Sequence, residues 1–393
     1  MATISRGIKA PIIREGDDIV SIVCDCVLSA SKEQGFTLRD RDVVAVTEAV
    51  VARAAGNYAT IDAIAEDVRR KLGGNTIGLV FPILSRNRFA ICLRGIARGA
   101  RKVVVQLGYP SDEVGNHLVD IDALDDSGID PYKDVLSVAQ FRRHFGTPLH
   151  PFTGVDYISY YTQLIEEEGA EAEIILANRP EAILSYSDKV LCCDTHTRFR
   201  TQRRILAAGA DVCLTLCDIL NAPVNGSGYN EKYGLLGSNK ATEGVVKLFP
   251  NNAQEVAEAI SARLCAATGK RIEAMVYGDG AFKDPVGKIW ELADPVVSPG
   301  FTDGLNGLPN ELKLKYLADN DFADLKGEEL RSAIENAIRK KDADLKGSMA
   351  TQGTTPRRLT DLLGSLCDLT SGSGDKGTPI IYIQGYFDNY TNE

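Results

Sequence analysis

The feature that most constrains the fold of this 393-residue chain is a repeated alternation of helical segments and short β-rich runs. The stretch "DYISYYTQLIEEEGAEAEIILAN" has the pattern of a helix, a turn and a strand, and "RTQRRILAAGADVCLTLCDILNAP" repeats that order. Val43–Thr47 is typical of a buried strand. Alternation of this kind favours α/β layers over a helical bundle or a β-sandwich.

Composition excludes several classes of function. The net charge of −10 argues against broad binding to nucleic acid or to an anionic membrane surface. No apolar stretch approaches the roughly 20 residues that cross a bilayer, and the start of the chain lacks the apolar core of a secretory signal. Nine scattered cysteines, an odd number, fit a reducing compartment and free thiols better than a zinc site. We therefore expect a cytoplasmic protein.

The stretch "MVYGDGAFKDP" places Asp279 between two glycines, directly after an apolar run that is typical of a strand. A carboxylate at the carboxyl end of a strand lies where open α/β sheets bind ligands. Mg²⁺ or Mn²⁺ is usually held there by one or two carboxylates and a phosphate. Lys283 and Asp284 could serve a phosphate and the metal, or pair with each other. An Asx turn explains the Gly-Asp-Gly sequence equally well.

A second candidate is the glycine-rich stretch "SGSGDKGTP" at 371–379. Its three glycines allow backbone N–H groups to turn towards an anion, while Lys376 and Thr378 could add a charge and a hydroxyl. The stretch lacks the GK[ST] ending of a Walker A loop and precedes a strand instead of following one. On its own, a plain connection between a helix and a strand is the simpler interpretation.

Two further segments carry polar groups that suit a ligand. Ser238 and Asn239 precede a strand and could contact a nucleotide or cap a turn. The stretch "CCDTHTRFRTQRR" at 192–204 contains four arginines, which could hold a polyanionic substrate or form the solvated face of a helix.

Five motifs, taken in their order along the chain and the third of them written here in two pieces, resemble the coenzyme F420-0:L-glutamate ligase family. They are "GIKAPIIREGDDI", "DVVAVTEAVVARAAGN", "GLLGSN", "GVVKLFPNNAQEVAEAI", "MVYGDGAFKDP" and "RRLTDLLGSLCDLTSGSGDKGTPIIYIQGY". No single motif is specific, but their order is. The resemblance implies an α/β, gamma-glutamyl ligase-like fold of mixed sheets with flanking helices, and an intertwined homodimer.

The resemblance also implies a division of the chain. Residues 1–99 would form the N-terminal part of the ligase core. Residues 100–229 would be an inserted or rebuilt α/β region. Residues 230–393 would form the C-terminal part of the core, with a charged helical insertion at 310–347.

The reaction implied by the resemblance is amide formation between a small-molecule carboxylate and the amine of L-glutamate. It would be driven by GTP (or ATP) through an acyl phosphate, with Mg²⁺ or Mn²⁺ neutralising phosphate charge. Asp279 and Lys283 would be catalytic, and Asp279, Asp284 and Asp375 would bind the metal. The nucleotide would contact Ala10, Pro11, Ile12, Ile13, Glu48, Arg53, Asn239, Gly372, Ser373, Gly374, Asp375, Lys376 and Thr378.

The sequence departs from the family's pattern at several of these positions. Leu236 stands where the resemblance implies a second metal aspartate, and Ser373 stands where it implies an acidic residue. Glu48-Ala49 replaces Ser-Lys at the end of the first core strand. Carboxylates that could substitute as metal ligands are Asp284, Asp303, Glu243 and Asp375.

Two alternatives therefore stay open. One is a ligase of the same fold with another acceptor, such as a folate-like or peptidyl carboxylate, held by the arginine segment at 198–204. The other is a non-catalytic nucleotide-binding or scaffold protein that has lost its metal ligands.

Overall fold

The computed structural model describes residues 2–151, 153–278, 297–342, 344–345, 347–351, 357–372 and 374–391, with the backbone of two short strands at 282–283 and 290–291. The strands are β1 Ile4–Ile8, β2 Val43–Thr47, β3 Tyr58–Thr60, β4 Thr76–Val80, β5 Lys102–Leu107, β6 Leu136–Ser137, β7 Glu171–Leu176, β8 Lys189–Cys192, β9 Val212–Thr215, β10 Asn239–Thr242, β11 Val245–Lys247, β12 Glu273–Tyr277, β13 Phe282–Lys283, β14 Trp290–Glu291, β15 Gly300–Phe301 and β16 Ile380–Gln384. The helices are α1 Ile19–Gln34, α2 Glu48–Ala54, α3 Ile61–Leu72, α4 Phe89–Arg98, α5 Ile121–Asp126, α6 Val138–Phe145, α7 Tyr157–Glu167, α8 Arg198–Ala207, α9 Ala253–Thr268, α10 Leu314–Tyr316, α11 Gly327–Lys340 and α12 Leu359–Ser371. This mixed α/β architecture, with several sheets and flanking helices, confirms the predicted class.

A five-stranded sheet joins the two ends of the chain in the order β1-β16-β2-β12-β15. Strands β2 and β12 run parallel, and the other neighbours are antiparallel. Successive side chains of a strand point to opposite faces, so Val44 and Val46 pack with α1 and α9, while Val43 and Ala45 pack with α12. Because both faces are covered, the strand reads in sequence as a continuous apolar run.

A six-stranded sheet is built from residues between 76 and 215, in the order β6-β7-β5-β4-β8-β9. Five strands are parallel, and only the edge strand β6 is antiparallel. Numbered along the chain, the parallel strands have the order 3-2-1-4-5 of a doubly wound sheet. Helices α4 and α7 cover one face, and α8 and the 3₁₀ turn Pro180–Ser185 cover the other. The division at 100 and 229 stays a prediction.

A small antiparallel sheet has the order β10-β11-β3. In the sequence, its strands come between strands of the five-stranded sheet and strands of the six-stranded sheet. Strand β3 leads directly into α3, whose first turn is capped by the Thr60 hydroxyl accepting from the Ala63 N–H. Helix α3 ends at Leu72, and the next residue, the C-cap Gly73, has a φ of 83° that glycine adopts without steric cost. These local signals fix where the chain passes from the small sheet into the six-stranded one.

The segment 310–347 contains the surface helix α11, in which Ile334 is the one buried residue. Its Glu335 pairs with Arg331 and Arg339 one turn away on either side. This charged helical character agrees with the sequence prediction. No helix in the described part of the chain is long and apolar enough to span a membrane.

Candidate functional site

Four strands of the five-stranded sheet begin or end along the same edge of the sheet, which is formed by strand termini and not by an edge strand. Strands β2 and β12 both end there, with Thr47 beside Tyr277 in the parallel register. Strand β16 begins there, with Ile380 beside Val46, and β1 ends there, with Ile8 beside Ile380. We call this the loop edge, and its segments are 9–13, 48–54, 278 and 372–379. Four of the segments singled out from the sequence therefore reach one place.

Backbone hydrogen bonds tie the glycine-rich loop to two of the other segments. The Ala10 N–H donates to the Gly377 carbonyl at 3.2 Å, and the Thr47 N–H donates to the Pro379 carbonyl at 3.0 Å. The loop is therefore anchored on one side by the segment after β1 and on the other by the end of β2.

The backbone of this loop requires glycine at two positions. Gly372 has a φ of 65° and Gly377 a φ of 66°, values in the left-handed region that side chains disfavour. A Cβ at Gly377 would meet no atom within 4 Å, so conformation and not crowding explains the glycine there. Gly374 begins a short 3₁₀ turn that ends at Lys376.

The polar side chains of the loop contact the end of α12. The Thr378 hydroxyl is buried and donates to the Ser371 carbonyl at 2.9 Å, and the Lys376 ammonium lies 3.4 Å from the Thr370 carbonyl. Both groups thus bond to carbonyls in the last turn of a helix, where positive charge and donors are favoured. Lys376 and Asp375 are exposed, so a ligand can reach them.

A buried ion pair lies beside the loop edge. Glu48 is the first residue of α2, and its two carboxylate oxygens lie 2.5 and 2.6 Å from the Lys247 ammonium. Glu48 is 5% exposed and Lys247 8% exposed. In a buried pair of this kind, the loss of one partner leaves an uncompensated charge. The pair fixes the first turn of α2 against β11.

Asn239 reaches the same neighbourhood through the small sheet. It begins β10 and lies beside Lys247 in the antiparallel register with β11. On the other side of Lys247 lies Tyr58 of β3. The small sheet therefore carries Asn239, Lys247 and, through the ion pair, Glu48 as one connected group.

A comparison with protein families identifies the family of this chain. The family model described as F420-0:Gamma-glutamyl ligase matches residues 7–385. The chain belongs to this family. The match includes strands of the five-stranded sheet from both ends of the chain. It also includes the six-stranded sheet, whose strands come between them in the sequence. Comparison with curated proteins gave no match.

Several ligase residues predicted from the sequence lie outside the described residues. They are Asp279, Asp284, Ser373 and the side chain of Lys283. The backbone up to Gly278 is described, and its N–H donates to the Val297 carbonyl at 2.8 Å. Because Tyr277 lies beside Thr47, Gly278 lies at the loop edge.

The carboxylates considered as substitute metal ligands differ in where they lie. Strand β15 runs antiparallel to β12, so Asp303 lies near Glu273, at the opposite edge of the sheet from Gly278. Glu243 is exposed in the β10–β11 turn and pairs with Lys240 at 2.5 Å. Leu236, at the position where the resemblance implies an aspartate, is 1% exposed in the apolar core. In the part of the chain that is described, no three His, Cys, Asp or Glu side chains are grouped to hold a metal.

The remaining ligase positions vary in exposure. Arg53 is exposed near the end of α2. In the segment after β1, Ile12 is 81% exposed, whereas Ile13 is buried against α1 and β2. An isoleucine that is largely exposed beside a glycine-rich loop is available to pack against a ligand or a second protein surface.

The arginine segment lies on the other large sheet. Arg200 and Arg203 are exposed on α8, and Arg204 pairs with Glu181 at 2.7 Å. Arg198 bonds to the Thr195 carbonyl. These arginines flank β8 and β9 of the six-stranded sheet, so they do not belong to the loop edge.

Sequence reasoning missed Lys247. In the sequence, "GVVKLFP" indicates only a strand. The available signal was a lysine within an apolar run, because a buried lysine needs a charged partner. That partner, Glu48, lies 199 residues away along the chain. The sequence pattern therefore could not identify it.

Proposed function

We propose that this protein forms an amide bond between a small-molecule carboxylate and the amine of L-glutamate, driven by GTP or ATP, at the loop edge. The observation that carries the proposal is the meeting of the glycine-rich loop, the segment after β1 and the Glu48–Lys247 pair in a chain of the gamma-glutamyl ligase family. The acceptor would be F420-0 or a related carboxylate.

The chemistry needs an activated carboxylate, because a carboxylate and an amine do not condense in water. Transfer of the terminal phosphoryl group of the nucleotide to the acceptor would give an acyl phosphate and a nucleoside diphosphate. The glutamate amine would then attack the acyl carbon, the C–O bond to phosphate would break, and the amine would lose a proton as inorganic phosphate leaves. Holding the two reactants together supplies much of the acceleration in such a reaction.

The chain's own groups suit the binding of phosphates. Loop 372–379 offers backbone N–H groups in a turn with two left-handed glycines, and the exposed Lys376 adds a positive charge. Arg53 and Asn239 are the further predicted contacts. Lys247 would act as a positioning residue, because its bond to Glu48 holds the start of α2 next to the loop.

Of the three predicted metal ligands, the described residues include Asp375. Asp375 is exposed in the loop, but it does not stand within a group of three ligands in the described ranges. Asp279 and Asp284 lie outside those ranges. Mg²⁺ or Mn²⁺ binding through Asp279, Asp284 and Asp375 stays a prediction, as does the intertwined homodimer.

The test is a labelling experiment. The protein is incubated with a metabolite extract, GTP or ATP, Mn²⁺ and isotope-labelled L-glutamate, and the products are analysed by mass spectrometry. We expect one metabolite class to gain the mass of a glutamyl residue in a nucleotide-dependent manner. No labelled product with either nucleotide would contradict the proposal.

The β10–β11 hairpin, which carries Lys247, provides a matched control. Glu48→Gln should lower the yield at least tenfold because it disturbs the buried pair, whereas Glu243→Gln removes an exposed carboxylate from the same hairpin region and should leave the yield unchanged. Equal yields from the two variants would show that the buried pair has no part in the reaction.

The buried Leu236 favours a second candidate, a nucleotide-binding protein without ligase activity. A leucine there removes one oxygen ligand, and fewer carboxylates weaken Mg²⁺ binding. Calorimetry separates the two. Nucleotide binding that strengthens with Mn²⁺ and is lost in Asp279→Ala supports the ligase, and metal-independent binding without labelled product supports the second candidate.

A further inference from the structure

The six-stranded sheet has a pocket of its own at the place where its strand order reverses. Strand β4 lies between β5, which continues the sheet on one side, and β8, which continues it on the other. Ligands of open parallel sheets bind at such a point, outside the carboxyl ends of the strands. A pocket of about 200 Å³ lies there, lined by residues that follow four strands: Phe81, Gly108, Asn178 and Asp194. We call it the switch-point pocket.

Asp194 gives this pocket an acceptor that lacks a donor. The residue is 0% exposed, and its Oδ2 accepts from the hydroxyls of Thr197 at 2.6 Å and Thr201 at 2.8 Å. Its Oδ1 is buried and has no hydrogen-bond partner in the described part of the chain. A buried carboxylate oxygen without a partner is costly, so a group that donates to it from the pocket would bind favourably.

The other charges at the pocket exclude an anion. Asp112 and Glu113 also line it, and the described residues of the lining include no lysine, arginine or histidine. Glu113 accepts the N–H groups of Thr195 and His196 just before α8 begins. The carboxylate of Glu113 thus occupies two backbone donors in the loop before α8 that would otherwise be available to an anion.

The loop after β4 argues against a dinucleotide. It reads "FPILSRNR" at 81–88 and contains no glycine, whereas dinucleotide sites need glycines there so that the backbone can approach the pyrophosphate. Phe81 itself has a φ of 55°, an unfavourable conformation for a residue with a side chain. Backbone strain of this kind is concentrated at ligand sites.

We propose that the switch-point pocket binds a small organic cation, a primary ammonium without a carboxylate, which donates a hydrogen bond to Asp194 Oδ1. An ammonium has three donors and a positive charge, and both complement the acidic lining. L-Glutamate fits poorly because its carboxylates would face Asp112 and Glu113. A divalent metal also fits poorly because Oδ2 is already taken by two hydroxyls, and the described residues include no grouping of three metal ligands.

Two further physical features of the pocket are its electrostatics and its size. Burial raises the pKa of the Asp194 carboxyl, and the Glu113 carboxylate raises it further, while the two threonine hydroxyls act in the opposite direction. A cation in the pocket would favour the ionised form. The volume of 200 Å³ corresponds to about seven waters, which is room for a short alkylammonium.

The test uses the full-length protein without nucleotide, so its result does not depend on the ligase reaction. Binding of 1-butylamine at low ionic strength is measured by calorimetry and by ligand-observed NMR. The comparison ligands are 1-butanol, butyrate, L-glutamate and MgCl₂. We expect 1-butylamine to bind and the two butyl analogues without a positive charge to bind at least tenfold more weakly.

Variants locate the site. Asp194→Asn should weaken 1-butylamine binding by about tenfold or more, because a charged hydrogen bond is lost. Glu113→Gln should weaken it in the same direction and, since Glu113 is exposed, provides a readout even if Asp194→Asn does not fold. Asp211→Asn, at the opposite end of the same sheet, should have no effect. The proposal is overturned by equal binding of 1-butanol, by unchanged affinity in both pocket variants, or by Asp194-dependent binding of Mg²⁺ alone.

Discussion

The two large sheets each bury a carboxylate at a strand end, and the two carboxylates are in different electrostatic states. At the loop edge, both oxygens of Glu48 lie close to the Lys247 ammonium. In the switch-point pocket, Asp194 has two hydroxyl partners and one oxygen without a partner in the described residues. A compensated carboxylate fixes structure, whereas an uncompensated one provides a place for a donor from outside. The difference suggests that Glu48 positions a site and that Asp194 contacts a ligand.

The largest effect expected from this comparison is that of Lys247→Met. The change leaves the Glu48 charge buried without its ammonium, which should lower the free energy of unfolding by about 3–5 kcal/mol. Urea unfolding at neutral pH measures it. The double variant Glu48→Gln/Lys247→Met is the control, and it should recover part of the loss because no charge is left uncompensated. A loss below about 1 kcal/mol in the single variant would mean that the pair is not held as described.

Gly377→Ala comes next in size. Because Gly377 has a φ of 66°, alanine should cost about 1–2 kcal/mol of stability, and the loop should be displaced from the Ala10 N–H. Gly244→Ala is the matched control, since that glycine is not in the left-handed region and has open space around it. Urea unfolding of both variants separates the effect of the left-handed backbone conformation from the general effect of replacing glycine by alanine. Equal losses of stability in the two variants would contradict the explanation from the left-handed backbone.

The third prediction concerns pH. Burial raises the pKa of Asp194 above 3.8, so the folded protein keeps this proton to higher pH than the unfolded chain does. The stability of the wild type should therefore fall as pH rises through the window above 3.8 and level off above the folded pKa. Asp194→Asn lacks this contribution, so its stability relative to the wild type should improve between pH 4 and pH 7. Urea unfolding at both pH values tests it, and a relative stability that does not change with pH would show that the carboxyl is not desolvated.

The smallest effect is expected for Lys240→Met. Its ion pair with Glu243 is of the same chemical kind as the Lys247 pair and lies on the same hairpin, but Glu243 is exposed to water. Exposed pairs contribute little because water screens them. The unfolding midpoint in urea should stay within the error of the measurement. A loss as large as that of Lys247→Met would remove the distinction between buried and exposed pairs.

The local parts of the fold could be predicted from the sequence. The strand at Val43–Thr47 has the bounds expected from its apolar run. The helical stripes of α1 and α9 are buried as their periodicity indicates, with Val23 and Ile260 both 0% exposed. Such signals depend on neighbouring residues, which the sequence shows directly.

The pairing of distant segments could not be predicted in the same way. Strand β1 pairs with β16 from the other end of the chain, and Glu48 meets Lys247 across 199 residues. The family resemblance indicated which segments would meet, but not that a lysine missed in "GVVKLFP" would lie among them. In the sequence, Asp194 is only part of an arginine-rich stretch. The pocket that it lines is formed by residues that follow four strands, and the order of those strands in the sheet is not visible in the sequence.

The most direct test of the central claim is to map where a nucleotide binds. Azido-GTP is photo-crosslinked to the protein, and the labelled peptides are identified by mass spectrometry, with unlabelled GTP as competitor. We expect competitor-sensitive label in peptides that contain residues 372–379 or 48–54. Label confined to peptides from 178–204 of the six-stranded sheet, or no specific label, would contradict it.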